Sequence, residues 1–97
     1  VIDGVLFTFY ACAGEHDGYC GQMASGRVVY AGAAACGSAF PLGTRFRIYG
    51  DPTGRTYICE DTGLGPPLWV DVFFWDEQEG WAWQVEVGSY GTIILLH

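Results

Sequence analysis

The clearest alternation of apolar and polar positions runs through Thr44-Arg45-Phe46-Arg47-Ile48-Tyr49, with Phe46 and Ile48 on one side and the arginines on the other. Period two over six residues predicts a half-buried strand, because successive side chains of an extended chain point to opposite faces. Gly50-Asp51-Pro52-Thr53-Gly54 follows with turn chemistry, and Arg55-Thr56-Tyr57-Ile58-Cys59 predicts the return strand of a hairpin. Denser apolar and aromatic runs at Val5 to Tyr10, Leu68 to Phe74 and Tyr90 to Leu96 predict three more strands. Trp81-Ala82-Trp83-Gln84-Val85-Glu86-Val87 alternates again and predicts another, with Asp76-Glu77-Gln78-Glu79 as a charged hairpin loop before it. Val28-Val29-Tyr30 predicts a short strand. Ala31 to Cys36 is a small-residue segment suited to close packing or a helical turn, ended by Gly37 and Pro41. No window carries a sustained helical period. With glycines spread along the chain as turn residues, the expectation is one all-β domain over residues 1–97, of six to seven short strands, closed as a barrel or stacked as a sandwich.

One position breaks the pattern. Asp71 stands inside Trp69-Val70-Asp71-Val72-Phe73, the most apolar run of the chain. Alternation turns it away from Val70 and Val72 and places it between Trp69 and Phe73 on the other face. A carboxylate between aromatic walls is expected to hold its proton to higher pH than a free aspartate, as general-acid chemistry requires. An exposed acid that blunts a strand edge is the plainer alternative.

Composition narrows the partners. Eleven acids face four arginines with no lysine, for a net charge of −7, which argues against nucleic acid and against anionic membrane surfaces. No apolar run reaches membrane-spanning length, so membrane insertion is not expected. Cys12, Cys20, Cys36 and Cys59 lack CxxC spacing and meet only two histidines, so two disulfides are expected rather than a metal site, and no motif asks for a cofactor. Three connectivities are possible. Cys12–Cys20 with Cys36–Cys59 is preferred, the first closing a short polar loop and the second joining two strand-rich segments. Disulfides imply an oxidising setting, extracellular or in the cell envelope, reached after removal of a targeting segment.

Four stretches in order carry a resemblance: Gly21-Gln22-Met23-Ala24-Ser25-Gly26, Phe40-Pro41-Leu42-Gly43-Thr44-Arg45-Phe46-Arg47-Ile48, Glu60-Asp61-Thr62-Gly63 and Val70-Asp71-Val72-Phe73. From about Phe7 to Leu96 the chain resembles the double-psi β-barrel superfamily, and within it the rare lipoprotein A and three-aspartate (3D) domains of bacterial cell-wall proteins. Thr8-Phe9-Tyr10 is also similar to the opening strand of expansins and family 45 endoglucanases. The resemblance implies a disulfide-stapled double-psi barrel that acts on peptidoglycan or another glycan, by lytic transglycosylation in several members. It puts the acid/base on Asp71 and a positioning or tuning carboxylate on Asp61, with Thr8, Tyr10, Thr62, Gly63 and Trp69 toward the substrate. The chain departs from the pattern where Cys36-Gly37 replace the first of the three aspartates. It departs again where Ala11 and Cys12 stand in place of the endoglucanase aspartate, which disfavours cellulase activity.

Two other readings belong to different classes. The same barrel with lapsed catalysis is a glycan-binding module. Alternatively, low charge, absence of lysine at strand edges and strands at both ends suit a subunit that assembles with copies of itself into an extracellular fibre or sheet. His16 between Glu15 and Asp17 is read as solvated, and Asp51-Pro52-Thr53-Gly54 as a turn. Of Trp69, Trp75, Trp81 and Trp83, at least two are expected in the core and the rest as a sugar-stacking platform.

Overall fold

A computed structural model describes residues 1–13 and 20–96, with residues 63 and 64 in their backbone only. His16 and its neighbours lie outside the described residues. Six strands and one helix follow in the order β1 (Ile2–Ala13), β2 (Ala33–Gly37), β3 (Arg45–Ile48), β4 (Tyr57–Leu64), β5 (Trp69–Asp76), α1 (Glu77–Val87) and β6 (Tyr90–Leu96). The strands close into a barrel in the order β1-β5-β2-β4-β3-β6, so the protein is a mostly β, closed six-stranded barrel. Two of the neighbour pairs, β1 with β5 and β2 with β4, are parallel. The others are antiparallel, including β1 with β6, which joins the two terminal strands.

The core follows from alternation. Val5 and Phe7 of β1, Ala34 and Cys36 of β2, Phe46 and Ile48 of β3, Tyr57 and Cys59 of β4, Val70, Val72 and Phe74 of β5 and Ile93 of β6 fill the barrel. Burying each large aliphatic or aromatic side chain contributes about 1.5–3 kcal/mol. The disulfides are Cys12–Cys20 and Cys36–Cys59. The second lies inside the core and joins the parallel neighbours β2 and β4, with both cysteines fully buried.

Two stretches differ from the sequence reading. Ala33 to Gly37 is a strand rather than a helical turn, buried on both faces because β5 and β4 flank it while side chains cover it inside and out. Only small residues fit a position so enclosed, and that packing overrides the helical preference of alanine. The segment Glu77–Val87 is a helix, neither hairpin loop nor strand. Its inward stripe is Gly80, Trp83, Gln84 and Val87, spaced as a helical face, but two of the four are not apolar, which hid the period. The acids Glu77 and Glu79 sit in its first turn, where the helix dipole favours negative charge. Gly80 faces the barrel at such close range that an added Cβ would stand 2.2 Å from the ring of Phe9. Gln84 fastens the helix to β1 by donating from Nε2 to the Phe7 carbonyl (2.9 Å). Trp83 is the one fully buried tryptophan; Trp69 is half-buried, while Trp75 and Trp81 are exposed, so the expectation of at least two core tryptophans fails. Val28 makes only an isolated bridge with Gln22, not a strand.

Candidate functional site

Asp71 lies on the outer face of the barrel. Its register partner on β1 is Thr8 and its partner on β2 is Ala35, which in turn pairs with Asp61 of β4. Thr8, Asp71, Ala35 and Asp61 thus form one row across four adjacent strands, since directly paired residues point to the same side of a sheet. On one side of the row, Met23, Val29, Ala33 and Phe73 form a second apolar cluster outside the barrel, with Tyr10, Cys12 and Tyr30 packed on it. On the other side, Trp69 is the register partner of Leu6, and the Pro66-Pro67 segment passes over Gly37. A Cβ on Gly37 would meet the Pro66 carbonyl oxygen at 2.1 Å, so glycine lets that segment close down at this end of the row.

Within the row the contacts are specific. Thr8 Oγ1 donates to Asp71 Oδ1 at 2.7 Å and accepts from Trp69 Nε1 at 2.7 Å. The indole therefore sets the hydroxyl, and the hydroxyl sets the carboxyl. Asp71 Oδ2 takes no hydrogen bond from the described residues. Burial pushes the carboxyl up from 3.8 to about 6, and the Thr8 hydrogen bond holds it back from rising further. A group poised near 6 can give a proton at neutral pH and take one back.

Asp61 is not part of that pair. The intervening strand β2 separates it from Asp71 by two strand spacings, about 10 Å, so the expected approach of the two carboxylates is not met. Its Oδ1 accepts from the backbone N–H groups of Ala24 (3.3 Å) and Thr62 (2.9 Å), which anchors the 20–30 segment to β4. The rise at Asp71 comes from burial, not from a second charge. Thr8 and Trp69 join Asp71 directly, and Tyr10 packs on Phe73 farther along the same face (5.3 Å between centroids). Thr62 is exposed beside Asp61, and Gly63 follows in β4.

A register shift between Ala34 and Ala35 skips Glu60, so two successive acids of β4 both turn toward the 20–30 segment. Buried Glu60 accepts from the Tyr30 hydroxyl through Oε2 and lies 3.7 Å from the Arg27 guanidinium. Burial first, then Glu60, pushes the Tyr30 phenol up to about 12. This cluster escaped the sequence reading; the Glu60-Asp61 doublet at a strand end was its only signal. Beside the row, an open groove of about 490 Å³ runs along β1 toward α1, bordered by Thr8, Phe9, Glu77, Trp81 and Gln84. Phe9 meets the exposed Trp81 edge to face at 5.0 Å.

No protein-family model matches the chain, and no curated protein matches it either.

Proposed function

We propose that the protein is a glycan-acting domain of the cell envelope or its surroundings, cleaving peptidoglycan strands by lytic transglycosylation with Asp71 as the acid/base. The observation that carries the reading is the Trp69–Thr8–Asp71 chain: it fixes one oxygen of a carboxyl whose burial keeps it protonated to about pH 6, and leaves the other without a partner among the described residues. In this chemistry Asp71 gives its proton to the glycosidic oxygen as the C1–O bond breaks. It then takes the proton of the sugar's 6-hydroxyl as that oxygen bonds to C1, so no water needs activation and one carboxyl suffices. The groove beside Thr8, with the exposed face of Trp81, supports binding of a pyranose chain. Two parallel strand pairs inside a closed six-stranded barrel support the double-psi architecture, and two disulfides support an oxidising compartment. Asp61 serves in this reading as a holder of the 20–30 segment at the edge of the site.

The test is incubation with purified peptidoglycan and mass spectrometry of the released fragments. Anhydro-sugar products that vanish in Asp71→Asn support the proposal. Retention on the glycan without products makes the barrel a binding module. A second reading, self-assembly, rests on one observation: pairing of β1 with β6 ends at Leu6, so among the described residues no strand of the barrel pairs with that edge of β1 from Phe9 onward. Filaments in electron micrographs, with neither products nor glycan binding, would favour it.

A further inference from the structure

We propose that the cavity between the β3–β4 turn and β6 binds an oxyanion, a carboxylate or phosphate group carried on a partly apolar body. The chain has eleven acids and four arginines, so an arginine placed without a purpose would find a carboxylate nearby. Arg27 does, beside Glu60. Arg45, Arg47 and Arg55 make no ion pair with any described residue, and all three gather at this end of the barrel.

Arg47 and Arg55 line a cavity of about 420 Å³, a size that suits a small ligand, together with Tyr49, Asp51, Ile94 and Leu96. Arg47 is the register partner of Ile94, and Arg45 of Leu96, so apolar side chains of β6 sit beside the guanidinium groups of β3. The single acid in the lining forms no ion pair with either of them. Asp51 spends Oδ1 on the Thr53 backbone N–H (2.8 Å) and Oδ2 on the Tyr57 hydroxyl.

Both arginines are held in place. Arg47 Nη2 donates to the Gly54 carbonyl at 3.3 Å. The Arg55 guanidinium lies 5.6 Å from the centroid of the Phe74 ring, with Nη1 sealed from solvent and without a hydrogen-bond partner among the described residues. Nη1 has no surface open to the cavity, so the groups that can meet a ligand are the exposed Arg47 guanidinium and the rest of the half-buried Arg55 side chain. Two planar forks with restricted geometry match the paired oxygens of carboxylate or phosphate better than they match a halide. Tyr49, Ile94 and Leu96 add apolar surface for whatever carries the anion.

The experiment is a nitrogen-15 NMR titration of the intact protein with inorganic phosphate and, separately, with benzoate, each against sodium chloride at matched ionic strength. The expected result is saturable shifts at the Arg47 and Arg55 side-chain N–H groups and at the Tyr49 and Ile94 amides. Arg55→Gln and Arg47→Lys are each expected to weaken binding about tenfold or more, the second because it keeps the charge and loses the fork. Saturation by phosphate alone identifies a phosphoryl ligand, and by benzoate alone a carboxylate on an apolar body. Shifts no larger than those with chloride overturn the proposal, as does binding unchanged in the folded Arg47→Lys variant. The proposal is independent of glycan cleavage.

Discussion

Replacing Asp71 with asparagine should stabilise the protein at neutral pH and leave it unimproved in acid. Burial raises the carboxyl from 3.8 to about 6 in the folded chain, so the folded state holds the proton more tightly than the unfolded one. Below about pH 3.8 both states are protonated and the group costs nothing. Between pH 3.8 and about 6 the unfolded chain loses its proton first, and stability falls as pH rises; above about 6 the full penalty is present. At about 1.4 kcal/mol per pH unit, that penalty is about 3 kcal/mol. The favourable Thr8 bond to the charged form is already counted in that net shift, so asparagine, which keeps an oxygen to accept from Thr8, removes the whole of it. The gain near pH 8 is about 3 kcal/mol, which for a domain of this size is a rise in Tm of about 15 °C. Thermal unfolding of both proteins from pH 3 to 8, with disulfides intact, reads the difference directly. A Tm difference that does not change with pH, or an asparagine variant less stable at pH 8, would refute the burial argument.

Three further outcomes are expected. Thr8→Val removes the hydroxyl that holds the Asp71 carboxyl down, so its titration midpoint, followed by carbon-detected NMR, should move above about 6. Gly80→Ala should destabilise by about 1–2 kcal/mol in urea unfolding, because displacing the Phe9 ring outweighs the better helix propensity of alanine; a stabilised variant would show the helix can lift away freely. Under graded reductant, alkylation and mass spectrometry should find Cys12 and Cys20 labelled before the fully buried Cys36 and Cys59, and Cys36→Ala with Cys59→Ala should cost about 3 kcal/mol.

Much of the barrel was legible in the chain. β1, β3, β5 and β6 announce themselves through β-branched and aromatic runs or strict alternation, and the loop Gly50 to Gly54 joins a true hairpin. β2 was not legible, since nothing local distinguishes an alanine run packed on both faces from a helical turn. The helix was misread because Trp81, Ala82, Trp83 and Val85 mimic period two, whereas its contact stripe uses a glycine and a glutamine. Asp71 stood out because an acid inside an apolar run is conspicuous whatever surrounds it. Its relation to Asp61 was hidden by topology: no sequence pattern says that β2 lies between β4 and β5. The unpaired arginines were equally invisible, because β3 and its turn look like an ordinary polar edge until the acids are located elsewhere.

The parallel pairing of β1 with β5 has a consequence for how the chain reaches its native state. Thr8 and Asp71, partners in that ladder, are separated by 63 residues, and the barrel cannot close until they meet. Of the strand pairs, only β3 with β4 can form from a short loop. Closing a long loop is entropically costly before its contacts reward it, so folding should be slow, on the scale of milliseconds to seconds, with the β3–β4 hairpin an early event and the β1–β5 ladder late. During that interval β1 and β5, the two most aromatic strands, are uncovered. The Cys36–Cys59 bond, once formed, holds β2 against β4 and shortens the remaining search, so oxidation early in folding should reduce aggregation as well as add stability.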